Sequence, residues 1–167
     1  MNFRSVLLLT LLLASLAAQT TRDSGEVMRK LQYDKAVASY VGKISASIAE
    51  QLLKNSDFEK LAATPVAILP IVDLYDANET SLATIKINEN LIHEMFIRGF
   101  KIVDVKGDMS GCVLFGTFTN YKDGMTINER IVDKKSGVVY STAQVFISKK
   151  ELKSINKIYN KYDWFSQ

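Results

Sequence analysis

The stretch VAILPIVDL, Val66 to Leu74, is nearly all apolar and rich in β-branched side chains. A strand buried on both faces has this composition, so the stretch is expected to be a central strand of a sheet. Pro70 lacks the N–H that a ladder bond needs and is expected near the strand's end or at a bulge. Thr64-Pro65 breaks the chain before the strand, and YDANETS forms a loop after it.

Thr80 or Ser81 can cap the next element, a helix from Leu82 to Arg98. Its expected apolar stripe is Leu82, Ile85, Leu91, Ile92, Met95 and Phe96, and Gly99 is a natural stop. Phe100 to Val105 alternates like a strand. A strand-helix-strand unit predicts a crossover to a parallel pair. Cys112 to Tyr121, Met125 to Asp133 and Val138 to Ser148 then read as three strands joined by tight turns. Gly124 and Gly137 are expected to take the positive φ of such turns. Polarity is mixed on both faces of Met125 to Asp133, so its buried face stays open.

Upstream, Val37, Val41, Ile44, Ile48 and Leu52 recur at helical spacing, widened by Ala38, Ala49 and Leu53. They predict an amphipathic helix from Asp34, the expected N-cap, to Leu53, with Lys43, Ser45 and Glu50 largely off the stripe. Asn55-Ser56 ends it. Ser148 and Glu151 have capping-box spacing and open a last helix carrying Leu152, Ile155, Ile158 and Tyr159. The expected fold is α/β (α+β), a mixed sheet in the order α-β-α-β-β-β-β-α, the crossover unit followed by antiparallel hairpins.

The N-terminus reads as a secretory signal peptide over residues 1–17: Arg4, an apolar run from Val6 to Leu13, then Ser15-Leu16-Ala17. The run falls short of the roughly 20 residues a spanning helix needs. Residues 18–33 form a polar, flexible lead-in, 34–148 the α/β domain, and 149–167 a C-terminal helix and aromatic tail. No Cys lies near the expected cleavage point, so the sequence does not read as a lipoprotein. Cys112 is alone, and a buried thiol is expected. The net charge of +3 comes from mixed signs, which excludes a nucleic-acid footprint.

Chemistry-bearing residues are scattered. His93 is the only His, and Glu89 four residues earlier gives at most two ligands, too few for a stable metal site. Asp73, Asp76 and Glu79 follow the first strand, where open sheets carry ligands, but Asx-turn and capping chemistry explains them more simply. Asn78 lies in an Asn-x-Thr glycosylation pattern. Tyr159, Tyr162, Trp164 and Phe165 gather at the chain end and are the expected interaction residues. No catalytic set, metal or cofactor is expected.

Three segments then carry a resemblance: TPVAILPIVDL, NETSLATIKINENLIHEMFIRGFKIVDV and LFGTFTNYKDGMTINERIVDKKSGVVYST. Over Pro65 to Thr142 their order and spacing resemble the FlgO family, exported proteins associated with the bacterial flagellum and outer membrane. The matched positions Pro70, Gly99, Gly116, Asp133 and Gly137 read as scaffold. The resemblance implies a non-enzymatic protein of the periplasm, or of the periplasmic face of the outer membrane, that supports flagellar assembly or stability and hence motility. Its implied partners are outer-membrane or periplasmic flagellar proteins. The expected contacts are exposed edge strands, which are ready templates for pairing, and the aromatic C-terminal tail, which lies outside the resemblance. Homo-oligomerisation stays open, and membrane contact would be peripheral. The alternatives are an envelope accessory of the curli-secretion or cell-wall-synthase-activator kind, or a periplasmic small-ligand binder using the Asp73–Glu79 loop.

Overall fold

A computed structural model of the chain describes residues 38–56, 61, 63–103 and 111–159, and of residues 157–159 the backbone alone. The expected signal peptide, lead-in and Asp34 cap lie outside the described residues, as do Tyr162, Trp164, Phe165 and the Tyr159 side chain.

Helix α1 covers residues 38–54. Strand β1 is Pro65–Asp73, helix α2 Leu82–Ile97 and strand β2 Lys101–Val103. Strands β3 (Cys112–Asn120), β4 (Gly124–Asp133) and β5 (Val139–Ser148) follow, then helix α3 (Lys149–Tyr159). The sheet order is β2-β1-β3-β4-β5. β1 is parallel to both β2 and β3, and β3, β4 and β5 are antiparallel. The sheet is therefore mixed, with β1 inside it, as its composition requires.

Pro70 sits at a bulge. Ile68 pairs with Leu114 and Ile71 with Gly116, so Leu69 and Pro70 together oppose Phe115. The extra residue excuses the ladder from the bond that proline cannot donate.

The helices cover one face. Alternate residues of β4, namely Met125, Ile127, Glu129 and Ile131, are buried there, with Leu114 and Phe118 of β3 and Ser141, Ala143 and Ile147 of β5. Val41, Ile48, Ala49 and Leu52 of α1 join Ile87, Leu91 and Met95 of α2 and Ile155 of α3 in this core. Each large side chain so buried stabilises the fold by about 1.5–3 kcal/mol. The opposite face carries Phe115, Thr117, Asn128, Arg130, Thr142, Gln144 and Phe146, half-buried or exposed.

Local rules explain most boundaries. Ser81 caps α2, its hydroxyl accepting from Thr84 N at 3.1 Å while Thr84 Oγ1 accepts from Ser81 N. Gly99 follows with φ 89°. Ser148 and Glu151 form the expected box on α3, and the bonds from Ser148 hold the Glu151 carboxyl below its ordinary value. Asp133 accepts from Lys135 N, Ser136 N and Ser136 Oγ, with Gly137 at φ 73°. Those bonds likewise hold its carboxyl low.

Three expectations are corrected. Gly124 does not take positive φ. It is needed for space, because a Cβ there would collide with the Ile147 carbonyl and lie 2.5 Å from the Phe146 ring. Ser45 is fully buried on the stripe side of α1 and donates to Ile87 O at 3.0 Å, tying α1 to α2. In α2 the buried positions are Ala83, Thr84, Ile87, Leu91 and Met95, whereas Ile85, Ile92 and Phe96 are exposed. That helix carries two apolar stripes, and only one faces the core.

Candidate functional site

Two features of β4 and β5 stand out, one beneath the helices and one at the sheet's edge. Glu129 shares a face with Met125, Ile127 and Ile131 and is 2% exposed. Its strand neighbours are Gly116 on β3 and Ala143 on β5. Both are small, and the missing Cβ of Gly116 makes the room that the carboxyl fills. Among the described residues, Glu129 Oε1 has no hydrogen-bond partner. Burial alone pushes the carboxyl up to about 8, so it is mostly protonated at neutral pH. Sequence reasoning passed over Glu129. The available signal was its phase with three apolar residues two positions apart.

The second feature is built where the end of α1 meets β5. Ser141 Oγ donates to Leu52 O at 2.6 Å, anchoring the helix end on the strand. Asn55 Nδ2 then donates to Thr142 O at 2.9 Å, and Gln51 Oε1 accepts from Gln144 N at 3.1 Å. Gln144 Nε2 donates to Asn128 Oδ1 across the strands at 2.6 Å. Around these bonds lies a notch of about 400 Å³, lined by Gln51, Asn55, Asn128, Arg130, Thr142 and Gln144 among others. The Arg130 guanidinium lies 5.3 Å from the centroid of the Phe115 ring. The edge expected to be open is thus capped at its middle by two amide side chains.

The other sequence-derived residues do not converge on these features, except Gly116. Asp73 accepts from Tyr75 N and Asp76 from Asn78 N, so the loop carboxylates make Asx turns. Asn78 is exposed. Glu89 and His93 are exposed on α2, and no group of potential metal ligands occurs among the described residues. Cys112 is buried, and burial, with the Asp133 charge, raises its thiol above the ordinary value. No helix among the described residues is long and apolar enough to cross a membrane.

The family model described as FlgO protein matches residues 46–111 and 109–152. No curated protein matches the sequence significantly. Among solved structures, the LpoB C-terminal domain from Salmonella enterica aligns at 10% identity over 62% of this chain and 95% of that one, with a TM-score of 0.47. The LpoB C-terminal domain from Escherichia coli aligns at 11% identity over 64% and 98%, with a TM-score of 0.46. A PelC dodecamer from Paraburkholderia phytofirmans aligns at 13% identity over 59% and 83%, with a TM-score of 0.41. Likenesses this distant carry no argument about function.

Proposed function

The chain belongs to the FlgO protein family, and from that premise we propose that it is an exported, non-enzymatic binding protein supporting assembly or stability of the flagellum at the outer membrane. The observation that carries this reading is the extent of the family match. It runs from within α1 to the first turn of α3 and takes in all five strands. The reading is non-enzymatic because the chemistry-bearing residues stand apart. His93 is exposed on α2, Glu129 is buried under the helices, and Asp73 and Asp76 are engaged in turns. The protein would act by contact with periplasmic or outer-membrane flagellar proteins, through the β5 edge and the aromatic C-terminus containing Trp164.

The test is swimming of a clean deletion strain in soft agar, with filaments counted by electron microscopy. Loss of swimming, restored by the gene in trans, is the expected outcome, and the filament count separates assembly from later stability. Normal swimming would overturn the reading. In the complemented strain, Trp164→Ala should weaken retention of the protein by its partner while the domain's melting temperature stays unchanged.

A further inference from the structure

An edge strand presents backbone groups that a neighbouring strand would otherwise take. On β5, α1 supplies substitutes for that neighbour. The Asn55 amide donates to Thr142 O and the Gln51 amide accepts from Gln144 N. One residue of a parallel neighbour makes the same two bonds, donating to one carbonyl and accepting from the N–H two residues further on. Two side chains of α1 therefore imitate one residue of an added strand. Both are neutral amides near the surface, so replacing them with a peptide's own amide exchanges like for like. Phe146 has the same parity as Thr142 and Gln144, which turns its backbone groups to the same edge, and its side chain is exposed.

The notch beside this edge adds selectivity. Its volume of about 400 Å³ is within the range of ligand clefts. Among the described residues, Arg130 is the sole cation lining it and has no carboxylate partner, and it rests on the Phe115 ring. The sole acid in the lining among the described residues, Glu129, is buried beneath the helices. The free charge of the notch is therefore positive.

We propose that this notch binds an extended segment of a partner protein bearing an acidic side chain, which adds to the β5 edge by displacing the Gln51 and Asn55 amides and sets its carboxylate against Arg130. Main-chain bonds would supply affinity and the notch would supply selectivity, as in other strand additions. The proposal rests on the reading of the domain as a binding module and names its site.

The test is NMR titration of the purified chain with a synthetic peptide of alternating threonine and valine around a central glutamate. Saturable shifts centred on the Thr142, Gln144 and Phe146 amides are expected. Replacing the peptide's glutamate by glutamine, or making Arg130→Ala, should weaken binding about tenfold, the loss of one charge-assisted bond. An N-methylated peptide, which keeps the side chains but loses backbone donors, should not bind. The Gln51→Ala, Asn55→Ala double variant should bind more tightly, because its edge is already open. No saturable shift at these amides up to millimolar peptide, or equal binding of the glutamate and glutamine peptides, would overturn the proposal. Failure here with swimming lost in the deletion strain leaves the flagellar reading standing, and binding here with normal swimming does the reverse.

Discussion

The Glu129 carboxyl occupies the space that a side chain at Gly116 would need. A Cβ built on Gly116 would lie 2.5 Å from the Glu129 carboxyl carbon. Glu129 is 2% exposed, so its carboxyl has no solvent to swing into. Gly116 serves here as a socket, not as a conformational hinge.

Gly116→Ala should therefore destabilise the domain by about 1–3 kcal/mol, the usual cost of overpacking a filled core. Combining it with Glu129→Ala should recover much of that loss, because the second change empties the contested space. Urea unfolding of both single variants and the double would show a coupling of about 1 kcal/mol or more between the sites. Strict additivity would mean the two side chains do not compete.

Glu129 also sets a pH dependence. Its folded value of about 8 lies above the ordinary 4.5, so between those values the folded state binds more protons than the unfolded state. The protonated carboxyl's contribution is fully present below about pH 4.5 and is lost as pH rises through about 8. The expected slope is a loss of up to roughly 1.4 kcal/mol per pH unit within that window. Glu129→Gln should flatten it. Asp133 and Glu151, held low by their hydrogen bonds, act in the opposite sense and at lower pH, since their contribution is lost on acidification. Denaturant melts at about pH 3, 5, 7 and 9 separate the two effects, the carboxylates Asp133 and Glu151 showing below about pH 4.5 and Glu129 above it.

The hydroxyls that tie α1 down make a third test. Ser45 Oγ reaches Ile87 O and Ser141 Oγ reaches Leu52 O, both buried. Ser45→Ala and Ser141→Ala should each cost about 1 kcal/mol. Ser141→Ala should also speed hydrogen exchange at Gln144 N–H, because the end of α1 that carries Gln51 loses its anchor.

What the sequence made legible followed local rules. Pro70 could only sit at a bulge or an end, Thr80 or Ser81 could cap one helix and Ser148 another, and Asp133 with Gly137 had the chemistry of a turn. What stayed hidden depended on where α1 and α2 settle. Glu129 was in phase with Met125, Ile127 and Ile131, yet nothing local chose that face of β4 over the one carrying Arg130. Ser45 looked polar and outward until Ile87 O supplied its partner. The notch was invisible because it joins α1 to a strand some 90 positions later in the chain, as in the pairing of Gln51 with Gln144 (|i−j| = 93).

The two apolar stripes of α2 give the last prediction. Leu91 is fully buried, whereas Phe96 is 67% exposed and Ile92 36% exposed on the outer side of the helix. Leu91→Ala removes buried methyl groups and leaves a cavity, so it should cost about 2–5 kcal/mol. Phe96→Ser removes a larger side chain but fills no core, so its effect should stay within about 0.5 kcal/mol. Hydrophobicity alone would rank the two the other way. Thermal melts of the pair therefore test which stripe of α2 faces the sheet, and a large loss from Phe96→Ser with a small one from Leu91→Ala would mean that the helix is rotated on its axis.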